Sequence, residues 1–249
     1  MHKAREGLFA LNEAIVYDIF MTILNGPKAL IFIAPPGAGK STQAEIFSRV
    51  FNMSHLDSSK TLQEALSAMD PNDPIAIKAK SDYDSGRLMD PELVASIIFR
   101  KVKELREQDR SIVFSGSFRT LYEAEHGLPL LESLFGKDNI HIFSISISEE
   151  ETVTRSLGRR VCEKEKHAIP DYPSFRNKTE CPYDGSRLIR RSTDSAEVAR
   201  NRFHIFMRDS EPVLKYLKDH KYEIVEIPGS GSIDEVTFSI LSHLQLHSL

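Results

Sequence analysis

At 249 residues, 41% hydrophobic and 27% charged, the chain can build one large domain around a real core. Its formal charge of −4 gives no general pull toward nucleic acid or an anionic membrane, so any anion site must come from local positive charge. Two cysteines, Cys162 and Cys181, are too few for a disulfide scaffold, and no apolar run approaches the ~18 residues of a membrane span. Asn12, Glu13 and Asp18 interrupt the first apolar residues, unlike a secretory signal, so a cytoplasmic protein is expected.

Residues 4–24 set Leu8, Leu11, Ile15, Ile19 and Ile23 at helical spacing, and Asn25-Gly26-Pro27 stops the pattern. An extra helix packed on the domain is expected there, with a partner-binding or targeting helix as the alternative. "KALIFIA" reads as a short buried strand. A helix is predicted from Ser41 to Phe51, a short strand near "MSHL", a helix over "SSKTLQEALSAM" and a turn at "DPNDPI". "DPELVASIIFRKVKEL" is a helix capped by Asp90 with Pro91 in its first turn. "SIVFSG" and "NIHIFSISIS" are further buried strands. "SEEETVTRSLGRR" opens on a capping box, Ser148 with Glu151. Residues 162–187 show no periodicity. "DSAEVARNRFHIFMRDSEPVLKYLKDH" returns to helix, with Pro212 expected to start a second one; "YEIVEI" is the last strand and "SIDEVTFSILSHLQ" the last helix. Strands alternating with helices predict an α/β fold, a parallel sheet covered on both faces.

One stretch carries explicit chemistry. Ala34-Pro35-Pro36-Gly37-Ala38-Gly39-Lys40-Ser41 matches seven of the eight positions of the Walker A phosphate loop. Backbone N–H groups in such a loop converge on phosphate oxygens, and the following helix adds its positive end. Gly37 and Gly39 supply backbone angles that side chains would block. Lys40 would reach the β- and γ-phosphates, Ser41 would face Mg²⁺, and Thr42 follows in the helix. Ala34 replaces the first glycine at the strand exit, where a negative φ makes alanine harmless.

From Leu30 onward the chain resembles the adenylate kinases, a family of nucleoside monophosphate kinases. "PPGAGKSTQAE" is similar to that family's phosphate loop, and "YDSGRLMDPELV" to the segment closing its monophosphate-binding flap. "SGSFRTLYEAE" is similar to its Asp-Gly-Phe-Pro-Arg-Thr motif; "RSLGRRVC" and "RRSTDSAEVARNRF" resemble the entry to and exit from its lid. The resemblance implies a P-loop three-layer sandwich with a five-stranded parallel sheet, as a domain over 28–249. It implies a flap insert at about 58–86 and a lid insert at about 158–192, leaving 1–27 as an N-terminal helical extension. It also implies transfer of the γ-phosphoryl group of ATP, with Mg²⁺, to AMP or another nucleoside monophosphate. Partners beyond these nucleotides are not implied: neither nucleic acid nor membrane is expected, and a monomer is.

Phosphoryl transfer asks mainly for positioning and positive charge. Lys40, Arg119, Arg155, Arg159, Arg191 and Arg202 match the family's charged positions, and Arg155 and Arg159 lie one helical turn apart. Gly37, Ala38, Gly39, Lys40, Ser41, Thr42, Arg155 and Arg159 would hold ATP. Ser58, Lys60, Gln63, Arg87, Leu88, Met89, Gly116, Arg119, Glu123, Arg191 and Arg202 would hold the monophosphate. Arg160, Arg190 and Arg200 are read as surface or ion-pair residues.

The departures gather on the acceptor side. Gln63 stands where the family has a phosphate-gripping arginine, and Lys60, one turn earlier, replaces an aspartate and offers a point charge instead. Glu123 stands where a glutamine reads adenine; a carboxylate only accepts, which suits a base edge with two donors, and a plain helix-surface role is the alternative. Ser115 replaces the aspartate that orients Mg²⁺-bound water, Phe118 the motif proline, and Thr193 a lid aspartate beside Asp194. In the lid, Cys162-x-x-Glu165 and Cys181-x-x-Asp184 keep the spacing of a Zn²⁺ site with one thiolate replaced, and His167 is a further ligand nearby. The balance favours a lid held by hydrogen bonds and packing over metal. A second functional reading stays open: an ATP-binding, catalytically weak relative acting through partner binding.

Overall fold

A computed structural model describes residues 26–84, 89–165, 167–171, 173–190 and 195–246. The expected N-terminal helix, Arg87, Leu88, Arg191, Thr193 and Asp194 lie outside the described residues.

Five short strands run parallel: β1 (Ala29–Ile33), β2 (Ser54–Asp57), β3 (Ile112–Ser115), β4 (Ile140–Ser146) and, late in the chain, β8 (Ile224–Pro228), in the order β2-β3-β1-β4-β8. Their alternating side chains feed two cores. Leu30, Phe32, Val113, Phe143 and Ile145 meet α1 (Lys40–Val50) and α9 (Ile233–Leu246) on one face. Ala29, Ile31, Ile112, Phe114 and Ile142 meet α4 (Pro91–Glu107), α5 (Leu121–Phe135) and α8 (Ala196–Asp219) on the other. The result is the expected three-layer α/β arrangement. Placing β1 at the centre puts the phosphate loop, which leaves its C-terminal end, between β3 and β4.

Two excursions leave this frame. Between β2 and α4 the chain forms α2 (Ser58–Ala68) and α3 (Pro74–Asp84), packed through Leu62, Leu66 and Ala79 onto Met89 and Ile97. After α6 (Glu149–Gly158) it forms a small antiparallel sheet, order β6-β5-β7, from β5 (Arg160–Cys162), β6 (Ala168–Ile169) and β7 (Leu188–Ile189), with the single-turn α7 (Pro173–Arg176). Cys162, Ile169, Phe175 and Cys181 are its core, and Ile233 of α9 packs against them.

The helix-start signals behave as the physics requires. Asp90 accepts from the N–H groups of Glu92 and Leu93, and the Ser148–Glu151 capping box forms with both bonds. Two expectations are corrected. "DPNDPI" does not stay a turn throughout, because Pro74 opens α3 and Asp73 accepts from the N–H of Ile75. Pro212 does not start a new helix: α8 runs through it, since Ser210 before it and Val213 and Leu217 after it keep one buried stripe. The aperiodic stretch 162–187 contributes to the small sheet.

Candidate active site

Every well-capped helix here has a side chain on its first N–H groups, from Asp57, Asp90, Thr120, Ser148 or Ser195. Helix α1 differs. Its N-cap is Gly39, left-handed at φ 95°, and no side chain caps it. Orphan N–H groups at a helix start, with the helix dipole behind them, form an anion site. Gly37 is also left-handed, at φ 82°, and lies against Thr152 and the Cβ of Arg155 on α6. Ala34, by contrast, is buried without positive φ, so the lost motif glycine has no conformational consequence.

Positive charge converges on this loop. Burial pushes the Lys40 ammonium down to about 7, and Arg119 and Arg159 press it the same way, while Asp57 opposes them. Crowding of like charges beside an uncapped helix start marks a candidate anion site. Arg119 reaches its place because Gly116, at φ 92°, has no side chain: a Cβ there would stand 2.7 Å from its guanidinium. Arg155 also lines the loop and holds Glu151 at 3.4 Å. Arg202 lies exposed on α8, which packs on α6.

The acceptor side departs from several expectations. Gln63 is exposed on α2. Lys60 faces Glu165, in the turn after β5, at 3.5 Å. Ser58 is buried, its hydroxyl 2.7 Å from that of Ser117. Met89 is buried in the α2–α3 core. Glu123 is neither free nor a plain surface residue: its Oε2 accepts the N–H of Arg119 at 2.6 Å, and Thr120 caps the same turn. Burial pushes its carboxyl up, and these backbone donors hold it down. It is a staple on the loop that carries Arg119. Phe118 has φ 57°, yet its ring sits edge-on to Phe114 and fills the notch left by Gly127. Packing therefore holds a turn that the missing proline does not.

Ser115 is buried and bonded to His55, Oγ to Nε2, at 2.6 Å. His55 Nδ1 faces Glu45 at 3.5 Å, and Arg49 holds the other oxygen of Glu45 at 2.5 Å. The hydrogen bond from His55, with help from Arg49, holds the Glu45 carboxyl down at about 2. An ionised Glu45 only accepts, so in a neutral ring Nδ1–H faces it and Nε2 accepts a hydrogen bond from the Ser115 hydroxyl, whose oxygen keeps its own acceptor capacity. Ser41, Ser115 and Asp57 thus put hard oxygen groups at the loop end of the strands, a donor set that suits Mg²⁺ with most of its waters retained.

The small sheet gathers Cys162, His167, Cys181 and Asp184, with ligand atoms within 4.8 Å of one another. His167 Nδ1 stands 3.2 Å from Asp184 Oδ2, 3.5 Å from Cys162 Sγ and 3.6 Å from Cys181 Sγ. Tetrahedral Zn²⁺ with ordinary bond lengths spaces its ligands by about 3.3–3.8 Å, and the separations from His167 lie close to that range. Ser186 binds the outer oxygen of Asp184 through N–H and hydroxyl, at 2.9 and 2.7 Å, holding that carboxyl well below its usual range. Burial pushes the Cys181 thiol up to about 11. Glu165 is therefore corrected: it turns to Lys60, and His167 takes its place. Arg160 is corrected too, since it binds the carbonyls of Lys178 and Phe175 at 2.5 and 2.6 Å and ties the small sheet together. Arg190 is exposed, and Arg200 is an ion-pair residue, facing Glu149 at 3.7 Å. No helix among the described residues is long and apolar enough to cross a membrane.

Sequence reading missed Asp57. Its signal is an acidic residue ending a short strand, and in the structure it also caps α2.

Comparison with known proteins agrees with this geometry. The family model for adenylate kinase matches residues 32–222. An adenylate kinase of Petrotoga mobilis is 31% identical over 219 residues, 87% of this chain and 97% of the relative. One of Geotalea daltonii is 30% identical, covering 87% and 99%, and one of Chlamydia trachomatis 27% identical, covering 88% and 90%. Relatives of this kind, matched over most of both chains, do not favour the reading as an ATP-binding, catalytically weak relative acting through partner binding. The chain belongs to the adenylate kinase family and is a phosphotransferase of the nucleoside monophosphate kinase class.

Proposed function

We propose that the protein transfers the γ-phosphoryl group of ATP to AMP, or to another nucleoside monophosphate, with Mg²⁺. The observation that carries the donor half is the uncapped start of α1 beside Lys40, with Arg119 and Arg159 crowding the same point. In this reading the loop from Gly37 to Thr42 cradles the phosphates. Arg155 and Arg159 hold the donor; Arg119, with Arg191 and Arg202, holds the acceptor. These cations offset the charge that spreads over the equatorial oxygens during transfer. The acceptor phosphate is already an anion, so no strong general base is required. Mg²⁺, when bound, neutralises phosphate charge and orients the donor.

Helices α2 and α3 are the proposed flap, about 58–86, and the small sheet the proposed lid, about 158–192, on a domain over 28–249. Their contact through Lys60 and Glu165 supports closure over the ligands, which would exclude water as a competing acceptor. The four-ligand cluster supports a structural Zn²⁺ in that lid, with Cys162, His167, Cys181 and Asp184 as ligands and Ser186 behind them. A monomer of the cytoplasm, with free nucleotides as its partners, fits the net charge of −4.

Product assays with ATP and each of AMP, GMP, CMP, UMP and dAMP test the reading. Turnover with AMP is expected; turnover with none, in protein that binds ATP, refutes it.

A further inference from the structure

Asp57 ends β2, and its in-register partner on β3 is Ser115. Neighbouring parallel strands lie about 4.8 Å apart, and in-register side chains project to the same face. The face is known. His55, two residues before Asp57 and so on its side of the strand, reaches Ser115 Oγ at 2.6 Å. Leu56, between them, points the other way into the core beneath α4 and α5. The His55–Asp57 side is the one covered by α1, whose first residue is Lys40. Asp57 therefore shares a strand end and a sheet face with Lys40, and its charge works against the groups that push the Lys40 ammonium down.

Asp57 also caps α2, accepting from the N–H of Ser59 at 2.8 Å and of Lys60 at 3.3 Å. Both bonds fall on Oδ1, so the second oxygen is not consumed by the cap. The surroundings need that charge. Lys40, Arg119, Arg155 and Arg159 ring the loop, and cations repel a divalent ion. Ser115, bonded to His55, is neutral and brings no charge. We propose that Asp57 is the anionic positioning residue of this site: one strand away from Ser115, it holds Lys40 and draws the divalent cation that accompanies ATP. This rests on the reading of ATP as donor.

Asp57→Asn separates charge from capping, because asparagine caps a helix as well as aspartate does. ATP affinity is measured with and without Mg²⁺, before any acceptor is added. The wild-type protein is expected to bind ATP more tightly with Mg²⁺. In Asp57→Asn that gain is expected to shrink about 10-fold or more, as for loss of a group behind a metal's own ligands. Mg²⁺-free ATP should bind no more weakly than to wild type, and the melting temperature should hardly move. Adding Ser115→Asp returns a carboxylate to the neighbouring strand, and most of the Mg²⁺ gain should come back, with phosphoryl transfer following it. An unchanged Mg²⁺ gain in Asp57→Asn overturns the proposal. So does a folded double variant that recovers nothing. Wild-type protein that binds no ATP overturns the donor reading, and the inference with it.

Discussion

Lys40 has an ionisation that binding should reverse. In the free protein its ammonium is pushed down to about 7, first by burial and then by Arg119 and Arg159. Triphosphate oxygens placed against it favour the charged form, so ATP binding above pH 7 must take up a proton. At pH 8 a group of pKa about 7 is about 0.9 deprotonated, which makes the expected uptake about 0.9 proton per ATP, against about 0.5 at pH 7. The dissociation constant should correspondingly rise about fiftyfold from pH 7 to pH 9. Titration calorimetry in buffers of different ionisation enthalpy measures the uptake directly. Lys40→Arg is the control, because a guanidinium stays charged throughout the window. Uptake at pH 8 should vanish in that variant. No uptake in the wild type, or the same uptake in Lys40→Arg, would refute the reasoning. Folding carries the opposite sign. The native state holds fewer protons on Lys40 than the unfolded chain between pH 7 and 10.5, so this group's contribution to stability rises with pH across that window.

Other consequences can be checked separately. Lys40→Met should lower phosphoryl transfer by about 100-fold or more with the melting temperature nearly unchanged, since one charge-stabilising contact is lost and no packing; unchanged turnover would remove Lys40 from the chemistry. Gly116→Ala forces a side chain into positive φ and onto the Arg119 guanidinium, so about 1–2 kcal/mol of stability and most of the activity should be lost together, read by denaturant melts and rates. Protein purified without chelator should contain about one Zn²⁺ per chain. Its removal, or Cys181→Ser, should lower the melting temperature by on the order of 5 °C, because metal binding free energy is folding free energy. Glu123→Ala should destabilise by about 1–2 kcal/mol by freeing the N–H of Arg119, while Glu123→Gln keeps an acceptor and should leave base preference where it was.

The readable parts of the fold were those whose cause is local. Asp90 followed by Pro91, and Ser148 three residues before Glu151, announce helix starts through bonds made within one turn. The phosphate loop is readable for the same reason, because strand, glycines and helix are contiguous. What escaped depends on distant partners. No helix is predicted between the strands "SIVFSG" and "NIHIFSISIS", yet α5 forms there, through Gly127 and Pro129, because Ala124, Leu128, Leu131 and Phe135 are buried on one stripe. The same tertiary reason carries α8 through Pro212. His167 is a candidate ligand already in the sequence, but its preference over Glu165 is decided only once β5 and β6 pair and bring its ring beside Cys162.

The acceptor-side changes make the same point about charge. Read along the chain, Lys60 and Ser115 look like two carboxylates lost, and a weakened enzyme follows. Read across the sheet, the register sets Asp57 against Ser115 and turns Lys60 toward Glu165. A carboxylate moved sideways by one strand shifts about 4.8 Å, which a cation surrounded by water can accommodate, since its waters and not the protein make most of the contacts. A linear motif records which residue holds the charge; electrostatics depends on where the charge stands. In a parallel sheet those two can be exchanged between in-register neighbours, provided both lie at the strand end that faces the phosphate and on the face that bears Lys40. Asp57 meets both conditions, so the neutral residue at 115 does not by itself argue against catalysis.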